Sequence, residues 1–152
     1  MGRAVVTAPC EAACAIARSL ANRFSVLVGK RNWIPKMAEN VRRYGHGPAM
    51  ASMRALGMGV HEFQTDASTA DRMARLGRSC IEDDGAEALI LGCTAEYGFH
   101  ERLQETLGVP VIDPVLAAFK HAEFLADGAR RLGWTPSRVG GSEPPPEAGH
   151  HG

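Results

Sequence analysis

The sequence reads as an α/β protein: a doubly wound, mostly parallel sheet with helices on both faces. Two observations lead there. Brief apolar runs rich in Val, Ile and Leu recur along the chain, of the kind that parallel strands bury on both faces. Longer segments of helical periodicity separate them, and that alternation builds right-handed strand–helix–strand units rather than hairpins.

Taken in order, Ala4–Thr7 is expected as a strand and Glu11–Asn22 as the helix after it. Ser25–Val28 is the next strand, followed by helices over Pro35–Tyr44 and Pro48–Leu56. Gly59–Phe63 reads as a strand and Thr69–Asp84 as a helix. On that helix Met73, Leu76, Cys80 and Ile81 share one face, which makes Cys80 core packing. Ala88–Leu91 is a strand, Tyr97–Leu107 a helix, and Val109–Ile112 the last strand. In the closing helix, Val115–Leu132, the residues Val115, Phe119, Ala122, Ala126 and Ala129 form one apolar stripe. Residues 1–135 are thus expected to form the domain and 136–152 a disordered tail. From Gly140 onward the chain reads GGSEPPPEAGHHG, with almost no apolar content.

Length and charge exclude several classes. A chain of 152 residues fits one domain. Hydrophobic residues at 45% and charged residues at 22% give an ordinary globular balance. Seventeen basic side chains meet seventeen acidic ones, so no global field draws the protein to nucleic acid or anionic lipid. The run Ala88–Cys93 falls far short of the roughly 20 apolar residues a membrane span needs, and Glu11 interrupts the signal-like stretch Ala4–Ala17. Four cysteines, Cys10, Cys14, Cys80 and Cys93, are too few for a stapled secreted scaffold and read as reduced thiols of a cytoplasmic protein. Cys10 and Cys14 would share a helix face as a metal pair does, but no second Cys or His pair completes a site. No metal is expected, and Cys14 reads as a small buried hydrophobe.

Ligands of such sheets bind beyond the carboxyl ends of the strands. The most informative turn there is Leu89-Ile90-Leu91-Gly92-Cys93-Thr94. A buried strand runs into a glycine and then sets Cys93 before the next helix, whose N-terminus would favour a thiolate. Such a group can take a proton from carbon or return one, although filling a tight turn explains Cys93 equally well. Thr94 adds a hydroxyl for a carbonyl or carboxylate. Gly29 and Lys30, in Val28-Gly29-Lys30-Arg31, offer an anion site without the pattern of a nucleotide-binding loop. Cys10 also follows a strand and opens a helix, which would put two thiols on one crevice. Glu96 falls in the first turn of its helix, as a stabiliser or as a substrate contact.

The segment Leu91-Gly92-Cys93-Thr94 with Glu96, Tyr97, Gly98 and Phe99, then Gly108-Val109-Pro110-Val111-Ile112-Asp113-Pro114, resembles the second half of the aspartate/glutamate/hydantoin racemase superfamily, in its hydantoin (allantoin-type) branch. Val5-Val6, Glu11-Ala12-Ala13 and Arg23-Phe24-Ser25-Val26 extend the likeness from about Ala4 to about Leu132. The resemblance implies a cofactor-independent enzyme of two similar α/β domains, each giving one cysteine to opposite faces of an acidic carbon. It makes Cys93 the second of those cysteines and puts Thr94 and the turn after Val28 at the substrate's carbonyl or carboxylate. In the family the first cysteine lies upstream of the segment with which this chain opens, and Cys10 is not in its motif. The expectation is a small-molecule racemase completed by a missing-domain chain or a homo-oligomer. The alternatives are a single-cysteine decarboxylase of the same superfamily and a non-catalytic module.

Overall fold

The computed structural model describes residues 5–137 and 139. Its helices and strands run α1 (Pro9–Leu20), β1 (Phe24–Val28), α2 (Ile34–Arg43), β2 (Met50–Ala55), α3 (Thr69–Glu82), β3 (Ala88–Leu91), α4 (His100–Leu107), β4 (Val111–Ile112) and α5 (Pro114–Leu132). The four strands form one parallel sheet in the order β2-β1-β3-β4. Every residue of β1 and β3 is buried, which is why their sequences, FSVLV and ALIL, are nearly continuous apolar runs.

Alternate side chains of these strands feed two cores. Phe24, Val26, Val28, Ala88, Ile90 and Ile112 pack under α1, α2 and α5. Leu27, Leu89, Leu91 and Val111 pack against Met73 and Cys80 of α3 and Leu103 of α4. Burying a leucine side chain is worth about 2–3 kcal/mol, so these two layers supply much of the drive to fold. Cys80 is fully buried there, as its helical stripe indicated. The chain leaves β1 toward one edge and β3 toward the other, so their carboxyl ends open a crevice at the switch point of the sheet.

Four expectations are corrected. Pro48–Leu56 is not a helix: Gly47–Ala49 makes one 3₁₀ turn and Met50–Ala55 is the edge strand β2. Met, Ala and Arg favour helix locally, but pairing with β1 overrides that preference. A bulge hides the strand's alternation, because Phe24 pairs with Met50 and Ser25 with Ser52, leaving Ala51 extra. Met50 and Met53 therefore both reach the core under α1 and α2. Gly59–Phe63 is a run of turns rather than a strand, and Val5–Ala8 leads into α1 without regular structure. The stripe of α5 is not its buried face: Pro114, Ala117 and Gly128 are buried, whereas Val115, Phe119, Ala122 and Ala126 are exposed. Most of the tail 136–152 lies outside the described residues, as does Ala4 of the first expected strand.

Candidate active site

Gly92 shapes the crevice. Its N–H donates to the Leu27 carbonyl at 2.7 Å, and a Cβ there would collide with that same oxygen. Only glycine lets the end of β3 run so close beneath β1. The chain then turns outward at Cys93, whose backbone is extended at φ −132° and ψ 139°.

Cys93 does not stand at the mouth of an α-helix. It heads the single 3₁₀ turn Thr94–Glu96, and α4 begins only at His100. One turn of three residues carries little of the aligned dipole of a long helix, so the electrostatic reason given for a thiolate there falls away. What Cys93 does have is a pocket. A cavity of about 580 Å³ opens over it, lined by Gly29, Lys30, Gly92, Cys93 and Thr94 from the carboxyl ends of β1 and β3. Trp33, Met37, Met58, Val60 and Phe63 give it an apolar wall, with His61 as a further polar group.

Sequence reasoning missed that wall. Met58 and Phe63 are almost fully buried although they belong to a connection between elements. Gly29 makes room for them: a Cβ there would lie 2.8 Å from the Met58 carbonyl and 3.0 Å from the Phe63 ring. The Gly29 carbonyl in turn accepts the N–H of Gly57 at 2.8 Å and of Met58 at 3.0 Å. Gly59 N–H is bonded to the Glu62 carboxylate. Gln64 donates to the carbonyls of Ala95 and Tyr97, both at 3.0 Å, and so clips the segment onto the Cys93 turn. The signal in the sequence was Gly57-Met58-Gly59, two glycines around an apolar residue.

Cys10 lies in the first turn of α1, beside a smaller cleft of about 220 Å³ that shares Met37, Gly92 and Thr94 with the pocket. The thiol of Cys14, one turn on, hydrogen-bonds to Cys10 and holds the Cys10 thiol below its ordinary range, against burial and the charge of Glu11. The same bond and its own burial push Cys14 far up. Glu96 is fully buried and lines neither cavity. Its carboxylate accepts the Gly92 N–H at 3.1 Å, while its own N–H donates to the Cys93 carbonyl at 3.0 Å. Burial pushes its carboxyl up to about 8, with the Gly92 and Cys93 N–H groups opposing and the charge of Asp113 assisting. The structure thus brings Cys93, Thr94, Gly29 and Lys30 together, sets Cys10 next door and places Glu96 beneath.

Among the described residues, no cluster of three or more His, Cys, Asp or Glu could hold a metal ion, and no helix is long and apolar enough to cross a membrane.

The sheet is thus that of a doubly wound α/β protein, with a thiol and a small-molecule-sized pocket at its carboxyl edge. The chain belongs to the Asp/Glu/Hydantoin racemase family, whose profile matches residues 3–122. It is 36% identical over 118 residues to a hydantoin racemase of Pseudomonas sp. (strain NS671), covering 77% of this chain and 47% of that protein. To a hydantoin racemase of Paenarthrobacter aurescens it is 33% identical over 138 residues, 90% of this chain and 57% of that one. Among solved structures, allantoin racemase from Pseudomonas fluorescens superposes with a TM-score of 0.83 at 30% identity, covering 96% of this chain and 63% of that one. Allantoin racemase from Klebsiella pneumoniae gives 0.78 at 28% identity, covering 87% and 53%. The chain spans about half the length of the curated relatives it matches.

Proposed function

We propose that the protein takes part in cofactor-independent proton transfer at the acidic carbon of a 5-substituted hydantoin or a related small carbonyl compound, with Cys93 as the acid–base group. The observation that carries this reading is the position of Cys93: it is the one cysteine lining the larger pocket, at the switch point of a racemase-family sheet. The pocket suits such a substrate. Trp33, Met37 and Val60 offer an apolar surface for a ring and its substituent, and Thr94 and Lys30 offer a hydroxyl and a positive charge to a carbonyl that becomes enolate-like. The thiolate of Cys93 takes the proton from the ring carbon, the electron pair moves onto the adjacent carbonyl, and a proton then returns to carbon.

Inversion needs a second proton-transfer group on the opposite face of that carbon. We place it outside the described pocket, on a further domain or a partner chain that closes the mouth. A single thiol also fits a decarboxylase that protonates a planar intermediate from one face, and Cys93 standing alone in the pocket favours that as the second reading. Four free thiols accord with a reducing, cytoplasmic setting.

The experiment is solvent-deuterium exchange at the ring carbon of enantiopure 5-substituted hydantoins, followed by NMR together with optical rotation and compared with the spontaneous rate. Exchange above that rate, lost in Cys93→Ser, is the expected result. Exchange with loss of rotation means both faces are served; exchange with retention means Cys93 works alone. No exchange from any hydantoin, with or without added relatives' domains, overturns the reading, and carbon dioxide release from a substituted malonate moves it to the decarboxylase.

A further inference from the structure

We propose that Glu96 is a positioning residue for Cys93: it holds the peptide groups of the Gly92–Cys93 turn from beneath, without touching whatever the pocket binds. The geometry is half of a capping box. In that motif the side chain of the first residue caps the turn, and a Glu three residues later reaches back to the N–H of the first. Here the first residue is Cys93 and the Glu is Glu96, three positions on. The Glu half is present one residue early: its carboxyl accepts the N–H of Gly92, next to the first residue, at 3.1 Å. The other half is missing: the Cys93 side chain makes no capping hydrogen bond. A serine or threonine would spend its oxygen on the turn; the sulfur is released from that duty and left to the pocket, while the turn is held by the carboxyl alone.

A second observation supports an acid rather than a plain structural anchor. Glu96 Oε1 is buried without a hydrogen-bond partner. An ionised carboxylate so placed would carry an uncompensated charge, whereas the acid form leaves only one polar atom unserved. The groups facing it add no positive partner of their own turn. Asp113, buried at the start of α5, turns one oxygen to the N–H groups of Val115 and Leu116. Its other oxygen lies 3.9 Å from Nδ1 of His100, at the start of α4. Cys93 itself lies on the same turn. The fold therefore keeps a neutral carboxyl against the Gly92–Cys93 turn until alkaline pH, when that turn gains a buried negative charge.

The proposal deepens the reading of Cys93 as the acid–base group and rests on it for its catalytic consequence. Thiol labelling tests it without turnover, so its failure and that of the activity are told apart. Iodoacetamide labelling of the whole chain would be followed peptide by peptide across pH 6–10, with Cys10 on α1 as the internal control. Glu96→Gln keeps an acceptor for the turn but cannot ionise. Above pH 8 its Cys93 should label about three- to tenfold faster than in the parent protein, and the two should coincide below pH 7, with Cys10 unchanged throughout. Glu96→Ala, which removes the acceptor, should alter Cys93 labelling at every pH; if it does not fold, Glu96→Gln carries the test. A Glu96→Ala profile superimposable on the parent's, a Glu96→Gln profile that departs from the parent's below pH 7, or Cys10 and Cys93 changing in step, would overturn the proposal.

Discussion

Two thiols stand at the carboxyl edge of this sheet, and their neighbourhoods differ. Cys10 occupies the first turn of a twelve-residue helix, and the neighbouring Cys14 thiol holds it below its ordinary range. Cys93 heads a single 3₁₀ turn of three residues, and its buried partner, Glu96, acts on the backbone and leaves the sulfur alone. The dipole argument that singles out Cys93 in the sequence applies in space to Cys10. What singles out Cys93 in the structure is access: it opens onto about 580 Å³ with an apolar wall, Cys10 onto about 220 Å³. An acidified thiol and a usefully placed thiol are thus separate properties here, and the second decides which one meets substrate.

The sharpest way to break that comparison is to remove each sulfur in turn. Cys93→Ser should lower the deuterium exchange of a 5-substituted hydantoin by at least about 100-fold, the scale of a lost acid–base group. Cys10→Ser, which alters the wall of the neighbouring cleft, should change it by less than about threefold in the same NMR assay. Equal losses would make the two clefts one site.

That contrast also marks how much was legible in the residues alone. The central strands were, because parallel strands buried on both faces write themselves as unbroken apolar runs. The Leu91-Gly92-Cys93-Thr94 turn was, because glycine is the one residue that can pass the Leu27 carbonyl. The edge strand was not: a bulge at Ala51 erases its period of two, and its Met, Ala and Arg residues prefer helix. The pocket wall was not, because Met58 and Phe63 are fixed by Gly29 and by the Gln64 clip, contacts between segments distant in the chain. Glu96 was half legible. Its place in the first turn pointed to a stabiliser, and the Cys-Thr-Ala-Glu spacing is that of a capping box, but only the fold shows the carboxyl sealed off from the pocket.

The next effect in size belongs to Glu96. Its carboxyl lies at about 8 in the folded chain against 4.5 ordinarily. Between those values the unfolded chain has released this proton and the folded chain still binds it, so stability falls as pH rises through the window and levels off above it. At about 1.4 kcal/mol per pH unit this amounts to roughly 3–5 kcal/mol between pH 4.5 and 8. Urea unfolding at pH 5, 6.5 and 8 should show that slope in the parent and its absence in Glu96→Gln, which becomes the more stable of the two at pH 8. Parallel slopes would mean that the carboxyl is ionised in the fold.

The smallest effect tests the other thiol. The largest influence on Cys10 is the hydrogen bond from Cys14, while burial and Glu11 push the opposite way. Cys14→Ala removes the favourable influence and leaves both unfavourable ones, so less Cys10 thiolate is present at neutral pH. Its alkylation at pH 7, read by peptide mass spectrometry, should slow about tenfold, the worth of one charge-assisted hydrogen bond. Cys14→Ser retains a hydroxyl donor at the same position and should restore most of the rate. Cys93 labelling should stay level in both variants, because Cys14 reaches only the smaller cleft. If alanine and serine slow Cys10 alike, the sulfur pair is packing and the helix terminus alone sets its reactivity; if Cys93 slows with it, the two thiols are coupled through the Gly92–Thr94 wall they share.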